Sequence, residues 1–200
     1  MELTEDLFYL IGALRDGSVN YDKASRNYYI VWYSKDREYM AKIAAKVANV
    51  FKKNTSIYEY KEGQYRVRIG SREIYNYIKS VFDFPDEGIG QVEWGTPKIL
   101  REATLPLKNA YIRGIFDAEG DVSLRNRYLE VSQKNTEILK WIKDELNCSG
   151  IHTGGIVIAD KRSSTYKFVI SGKKDVKIFR EIIGFEHGQK TELLDQLCLN

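Results

Sequence analysis

Two short stretches of the chain combine carboxylates with the end of an apolar run. The first is "LIGALRDGSV" (Leu10 to Val19), in which Asp16 stands directly before Gly17. The second is "YIRGIFDAEGDV" (Tyr111 to Val122), in which Asp117 and Glu119 precede Gly120. One explanation is structural: Gly120 terminates a helix in the left-handed conformation and a solvated turn follows. The other is chemical. A helix C-terminus already carries partial negative charge, so Asp16 and Glu119 brought to one place repel each other, and their pKa values rise unless a cation neutralises them. Hard carboxylate oxygens suit Mg²⁺. Mg²⁺ held by Asp16 and Glu119 beside a polyanion-binding surface is equipment for hydrolysing phosphodiesters with water.

Acids so far apart in sequence meet only if larger elements bring them together, and an internal repeat supplies those elements. "NYYIVWYSKDREYMAKIAAKV" (Asn27 to Val47) matches "NRYLEVSQKNTEILKWIKDEL" (Asn126 to Leu146) without gaps at a shift of 99. "YRVRIGSREIYNYIKSVF" (Tyr65 to Phe82) matches "YKFVISGKKDVKIFREIIGF" (Tyr166 to Phe185), with Val67 and Ile69 meeting Phe168 and Ile170 at a shift of 101. The two acidic segments open the two copies. Each copy reads as helix, two strands, helix, two strands, helix, which predicts an α+β fold of two pseudo-symmetric αββαββα units, residues 1–100 and 101–200. The opening helices are expected to meet along the pseudo-twofold axis, with Gly114 and Ala118 as a small-residue pair that permits close approach. Met40, Ile43, Ala44, Val47, Val50 and Phe51 form the apolar stripe of the next helix.

Strand alternation places Val67 and Ile69 on one sheet face and Arg66 and Arg68 on the other. The outer faces then carry Tyr29, Arg66, Arg68, Tyr128 and Arg127 or Lys167, and the segment "KRSSTYKFVISGKK" adds Lys161 and Arg162. Tyrosine and arginine also suit any half-solvated strand. Their recurrence in both copies points to a surface that tracks phosphates and touches bases.

The composition is compatible with this. The 200 residues are 43% hydrophobic and 12% aromatic, enough for a sizeable core, and net charge is only +3. No apolar run approaches the ~18 residues of a membrane span, and "MELTEDLFYL" has acids where a signal peptide carries positive charge; a cytoplasmic protein is expected. Cys148 and Cys198 have no zinc-ligand spacing and read as reduced thiols, with a bridge between them left open.

"IRGIFDAEGDV" resembles the LAGLIDADG motif. With the twofold repeat, nearly the whole chain is similar to single-chain, two-motif homing endonucleases, especially archaeal intron- or intein-encoded members. The resemblance implies central packed motif helices, saddle-shaped antiparallel sheets gripping a long asymmetric double-stranded DNA target, and a monomer that leaves short 3′ overhangs. It implies that Glu119 is a catalytic, metal-binding acid, with Asp16 as its partner, and that Asp117 is structural. Gln133 matches a polar residue near the active site, with Ser34 as its counterpart in the first copy. Lys190 resembles the late assisting lysine, although a solvated lysine near the start of the last helix is the plain alternative. Lys98 is the first-copy candidate, its register obscured by the insert "PDEGIGQVEWGTP".

The first motif departs from the pattern. From Gly114 to Glu119 is five positions, whereas from Gly12 to Asp16 is four. Either Ile11 takes the glycine position or the last turn adjusts, because one residue rotates a helical side chain by roughly 100°. The shortened motif also admits an RNA maturase acting on its host intron, or a DNA-binding protein with a decayed centre.

Overall fold

The computed structural model describes residues 1–85 and 91–199. In the first half, α1 (Glu5–Ala13) leads to the hairpin β1 (Ser18–Asp22) and β2 (Asn27–Ser34). Next come α2 (Arg37–Phe51), the hairpin β3 (Ile57–Lys61) and β4 (Gln64–Ile69), and α3 (Arg72–Val81). A connection containing α4 (Ile99–Glu102) follows, and the expected division after residue 100 falls inside it. The order then repeats with α5 (Leu105–Glu119), β5 (Gly120–Ser123), β6 (Tyr128–Gln133) and α6 (Thr136–Cys148). The hairpin β7 (Val157–Asp160) and β8 (Thr165–Ile170) precedes α7 (Lys173–Ile182) and α8 (Gly188–Leu199). Residues 86–90 of the insert lie outside the described residues.

Local chemistry sets the helix starts. Thr4, Asp36, Ser71 and Asn135 each accept a backbone N–H from the first turn of α1, α2, α3 and α6, satisfying donors that have no partner within the helix. The strands form two antiparallel sheets in the orders β1-β2-β4-β3 and β5-β6-β8-β7. Register pairs Ile30 with Ile69 and Trp32 with Val67, and Leu129 with Ile170 and Val131 with Phe168. These residues are buried against the helices, together with Met40, Ile43 and Val47 of α2. Arg66 and Arg68 point to the opposite face, as the alternation predicts. Cys148 and Cys198 are free thiols.

The centre is the crossing of α1 and α5. An ideal Cβ on Gly12 would lie 2.1 Å from the Tyr111 carbonyl oxygen, and one on Gly114 2.2 Å from that of Tyr9. The close approach is therefore made by one glycine from each helix, not by Gly114 with Ala118. The contacts are reciprocal: Gly12 meets Tyr111 and Ile115, while Gly114 meets Tyr9 and Ala13, a constant offset of 102 (12 to 114, 9 to 111, 13 to 115). Gly12 thus holds the motif's glycine position, and Ile11 does not.

Because the obstructing atom is backbone, Gly12→Ala has to push the helices apart. It is expected to destabilise the fold by about 3 kcal/mol or more, the upper range for overpacking. Urea unfolding measures this, and a midpoint within error of the parent would show that the crossing tolerates a methyl group.

Candidate active site

The shortened first motif is accommodated by a change of helix type. After Ala13 the chain tightens into a 3-10 turn over Leu14–Asp16, closed by Gly17 N–H donating to the Leu14 carbonyl at 2.9 Å. One α step and three 3-10 steps rise about 7.5 Å, the same as five α steps, and recover roughly 60° of the missing rotation. Asp16 and Glu119 consequently line one cleft of about 260 Å³, together with Arg15, Val92, Ser132, Gln133, Lys134 and Thr165. Gly17 and Gly120 are extended rather than left-handed. Their role is steric: a Cβ on Gly17 would sit 2.5 Å from the Val31 carbonyl oxygen, and one on Gly120 2.6 Å from that of Phe116.

The cleft buries two acids together, and burial is the leading electrostatic effect on both. Glu119 is raised to about 7, first by burial and second by repulsion from Asp16, against the opposing pull of Gln133, Lys190 and Arg15. Asp16 is raised by burial, with Lys190 opposing. Neither acid joins an ion pair among the described residues. Gln133 lies close enough to favour ionised Glu119, yet its Nε2 is buried without a well-formed hydrogen bond. Two carboxylates held close together fit a divalent cation with hard oxygen ligands. Among the described residues there is no cluster of three or more His, Cys, Asp or Glu side chains that could hold a metal ion, so further ligands of such an ion would be other oxygens of the protein, water or substrate.

Lys190 belongs to this site and is not a solvated lysine. It is half-buried, and its Nζ donates to the carbonyls of Phe116 (3.1 Å) and Asp117 (2.7 Å) at the end of α5. Burial lowers its pKa, opposed by the carboxylates of Asp117, Asp121, Glu119 and Asp16. Asp117 turns away from the cleft and accepts from Tyr9 Oη (2.7 Å) and from the amides of Glu186 (2.9 Å) and His187 (3.1 Å). Lys98 is not brought to the site. Its side chain is exposed at the start of α4, and its backbone N–H donates to Asp83 at 2.7 Å.

The buried cation near the first motif is Arg15, which the sequence reading passed over. It is 3% exposed and sits 4.1 Å from the Trp94 ring centroid. It donates to the Tyr111 hydroxyl (2.7 Å) and to the carbonyls of Gly95 (2.8 Å) and Trp94. Lys35 and Lys134 were also missed. Lys134 lines the cleft, and Lys35 borders a neighbouring hollow of about 420 Å³ with Asp16, Tyr33, Ser34, Tyr60 and Gln64. The signal was present, since the two lysines coincide at the shift of 99, directly after Ser34 and Gln133.

Of the candidate DNA contacts, Tyr29, Arg66 and Arg68 share the outer face of the first sheet. Tyr128 and Lys167 lie on the outer face of the second, where Lys167 pairs with Glu130 at 2.6 Å. Arg127 stands in the β5–β6 turn with φ 55°, off the strand face. Lys161 and Arg162 are exposed in the β7–β8 turn.

Two sheet-bearing halves joined by crossing helices, with an acid at the same end of each, define a duplicated saddle protein centred on a paired-carboxylate site. The chain belongs to the LAGLIDADG homing endonuclease family. Residues 106–184 match the LAGLIDADG-like domain. The chain is 35% identical over 195 residues to homing endonuclease I-ApeI of Aeropyrum pernix, covering 96% of this chain and 86% of that protein. Its fold is similar to I-DmoI crystallised in complex with DNA and Mn (TM-score 0.70, 21% identity, 92% and 98% of the two chains). It is also similar to DUF199/WhiA from Thermatoga maritima (TM-score 0.64, 21% identity, 99% and 61%).

The raised pKa of Glu119 has a consequence for stability. The folded state holds this proton up to about pH 7, the unfolded chain only to 4.5. The stability this contributes is fully present below pH 4.5 and is lost as pH rises through 7, a change on the order of 3 kcal/mol. With metal chelated, Glu119→Gln should therefore melt higher than the parent at pH 8, the difference closing towards pH 5. Equal melting temperatures at pH 8 would place this carboxylate in a solvated setting.

Proposed function

We propose that this chain is a metal-dependent, site-specific endonuclease that cuts both strands of a long double-stranded DNA target. The observation that carries this reading is the shared cleft: Asp16 and Glu119, from opposite halves, face one space, and burial there together with the Asp16 charge raises the proton affinity of Glu119. Family membership supports it, as does the adjustment of the first motif, which keeps Asp16 at the cleft. I-ApeI bears the name homing endonuclease, and I-DmoI has been crystallised with DNA together with Mn.

In this reading Asp16 and Glu119 hold Mg²⁺, which when bound activates water and stabilises charge on phosphate. Water adds to phosphorus and the P–O3′ bond breaks. The protein's own groups set up that event. Lys190 holds positive charge beside both acids while capping the α5 carbonyls, so its position is fixed before substrate arrives. The Gln133 Nε2 donor is available to a ligand in the cleft; Lys134 lines the cleft, and Lys35 borders the adjoining hollow at the equivalent position. The outer sheet faces follow the DNA on either side. Each half completes the other, so the active species is a monomer.

The test is a supercoiled plasmid carrying the intact insertion site, incubated with protein and Mg²⁺. Glu119→Gln and Asp16→Asn should each lower double-strand cutting by at least ~100-fold while retaining specific binding, because each removes a group that acts on the transition state. Linearisation by Glu119→Gln at the parent rate would overturn the proposed site. Normal cutting by Asp16→Asn alone would break the two-carboxylate mechanism.

A further inference from the structure

The strand register allows the two outer faces to be compared position by position. Tyr29, Val31, Tyr33 and Tyr58 of the first sheet correspond to Tyr128, Glu130, Ser132 and Val157 of the second. Arg66 and Arg68 correspond to Lys167 and Val169. The backbones are equivalent, but the chemistry is not. In the second sheet the one cation of this set is tied to Glu130 at 2.6 Å, and the position of Arg68 is an aliphatic side chain.

In the first sheet, among the described residues, neither arginine forms an ion pair, although the Asp22 carboxylate acts on Arg68 at longer range. The Arg68 guanidinium carbon lies 3.5 Å from the Tyr29 ring centroid, and that of Arg66 lies 5.6 Å from Tyr60. Arg66 Nε is buried with no hydrogen-bond partner. Between them is a hollow of about 300 Å³ lined by Tyr29, Tyr58, Arg66, Arg68 and Gly70. Gly70 brings no side chain to its edge.

We infer that Arg66 and Arg68 read guanine bases in the half of the target beneath the first sheet, while the half beneath the second has no such requirement at the equivalent positions. The inference rests on the endonuclease reading and extends it to target chemistry. Guanine presents N7 and O6 side by side in the major groove, and the planar fork of arginine matches that pair with two parallel donors. Stacking on tyrosine holds the plane before binding, so less side-chain freedom is lost on contact. A phosphate-tracking cation needs no such arrangement. Residues two apart on a strand are ~7 Å apart, about two base-pair steps, so the two guanines lie close together in one half-site. In the other half, Val157 and Val169 offer apolar surface of the kind that meets the thymine methyl group.

The experiment is selection of binding sequences from a randomised duplex library by the full chain in Ca²⁺, repeated with Arg68→Gln, Arg66→Gln and Arg68→Lys. Two guanines separated by one to three base pairs are expected in one half-site. Each glutamine variant should relax one of them, with a loss of roughly 10-fold or more in preference for guanine over adenine, leaving other positions unchanged. Arg68→Lys keeps the charge but not the fork, so it should lose the preference and keep the salt dependence of binding. A uniform loss across all sequences, with the salt slope reduced by about 1 per arginine, would assign both residues to phosphate and overturn the inference. Guanines that neither variant affects would also overturn it. The absence of any enriched sequence would bring down the endonuclease reading, and this inference with it.

Discussion

The contact on which the rest of the molecule depends is the backbone-to-backbone crossing at Gly12 and Gly114. Each glycine faces a carbonyl of the opposite helix at a distance that excludes even a methyl group, so the separation of α1 and α5 is fixed by main chain. Side chains on either side of the crossing then have single solutions. Tyr9 and Tyr111 are fully buried and each reaches across to the partner helix, Tyr9 to Asp117 and Tyr111 to Arg15. One turn further, both helices end together, and Asp16 and Glu119 arrive at the same cleft. The sheets hang from this axis: the Trp32 indole N–H donates to the Leu10 carbonyl at 2.9 Å, tying β2 directly to α1.

Duplication in a single chain frees the halves from the identity that a homodimer imposes on its two interface surfaces. The clearest example lies beside the crossing. At the offset of 102, Arg15 and Asp117 occupy the same place (15 to 117) and both bond the opposite tyrosine, yet their charges are opposite. A buried charge is tolerated only when paired or fully hydrogen-bonded, and each has evolved its own satisfaction. Arg15 has the Trp94 ring and the Trp94 and Gly95 carbonyls, while Asp117 has two amides at Glu186 and His187. The sheet faces diverge by the same freedom, with paired strands kept and outward side chains replaced.

This pattern explains what could be read from sequence. Alternation in β4 and the stripe of α2 follow from a single rule of burial, so Val67, Ile69, Met40 and Ile43 were legible, and the repeat carried that reading into the second half. Glu119 was legible because its motif is intact. Arg15 was not, because its partners Trp94 and Gly95 come from the insert that breaks the alignment, and a charged residue beside an apolar run looks like solvated surface. Lys98 shows the same difficulty from the other side: directly after that insert, position in sequence says nothing about distance to the cleft. The extended conformation at Gly120 also escaped, since a glycine required by a neighbouring carbonyl and one required by a left-handed turn are the same letter.

The rigidity of the crossing and the strain in the site are linked. Without a cation, Asp16 and Glu119 repel at the ends of two helices whose terminal carbonyls add to the negative potential. Helices packed through side chains could relieve this by sliding or parting slightly, and the acids would drift from the geometry in which they share a ligand. A crossing set by glycine against carbonyl has little such freedom, because movement along the axis brings a Cβ into the opposite backbone. The repulsion is therefore left in the carboxylates, where it adds to burial, the larger cause, in raising the pKa of Glu119, and it is only partly offset by Lys190 and Arg15. Beyond those two cations the protein's own relief is local protonation; a divalent cation would remove the same repulsion without occupying either acid with a proton. Burial and repulsion at Glu119 thus make the free protein less stable at neutral pH, and a divalent cation bound between the acids would relieve that cost.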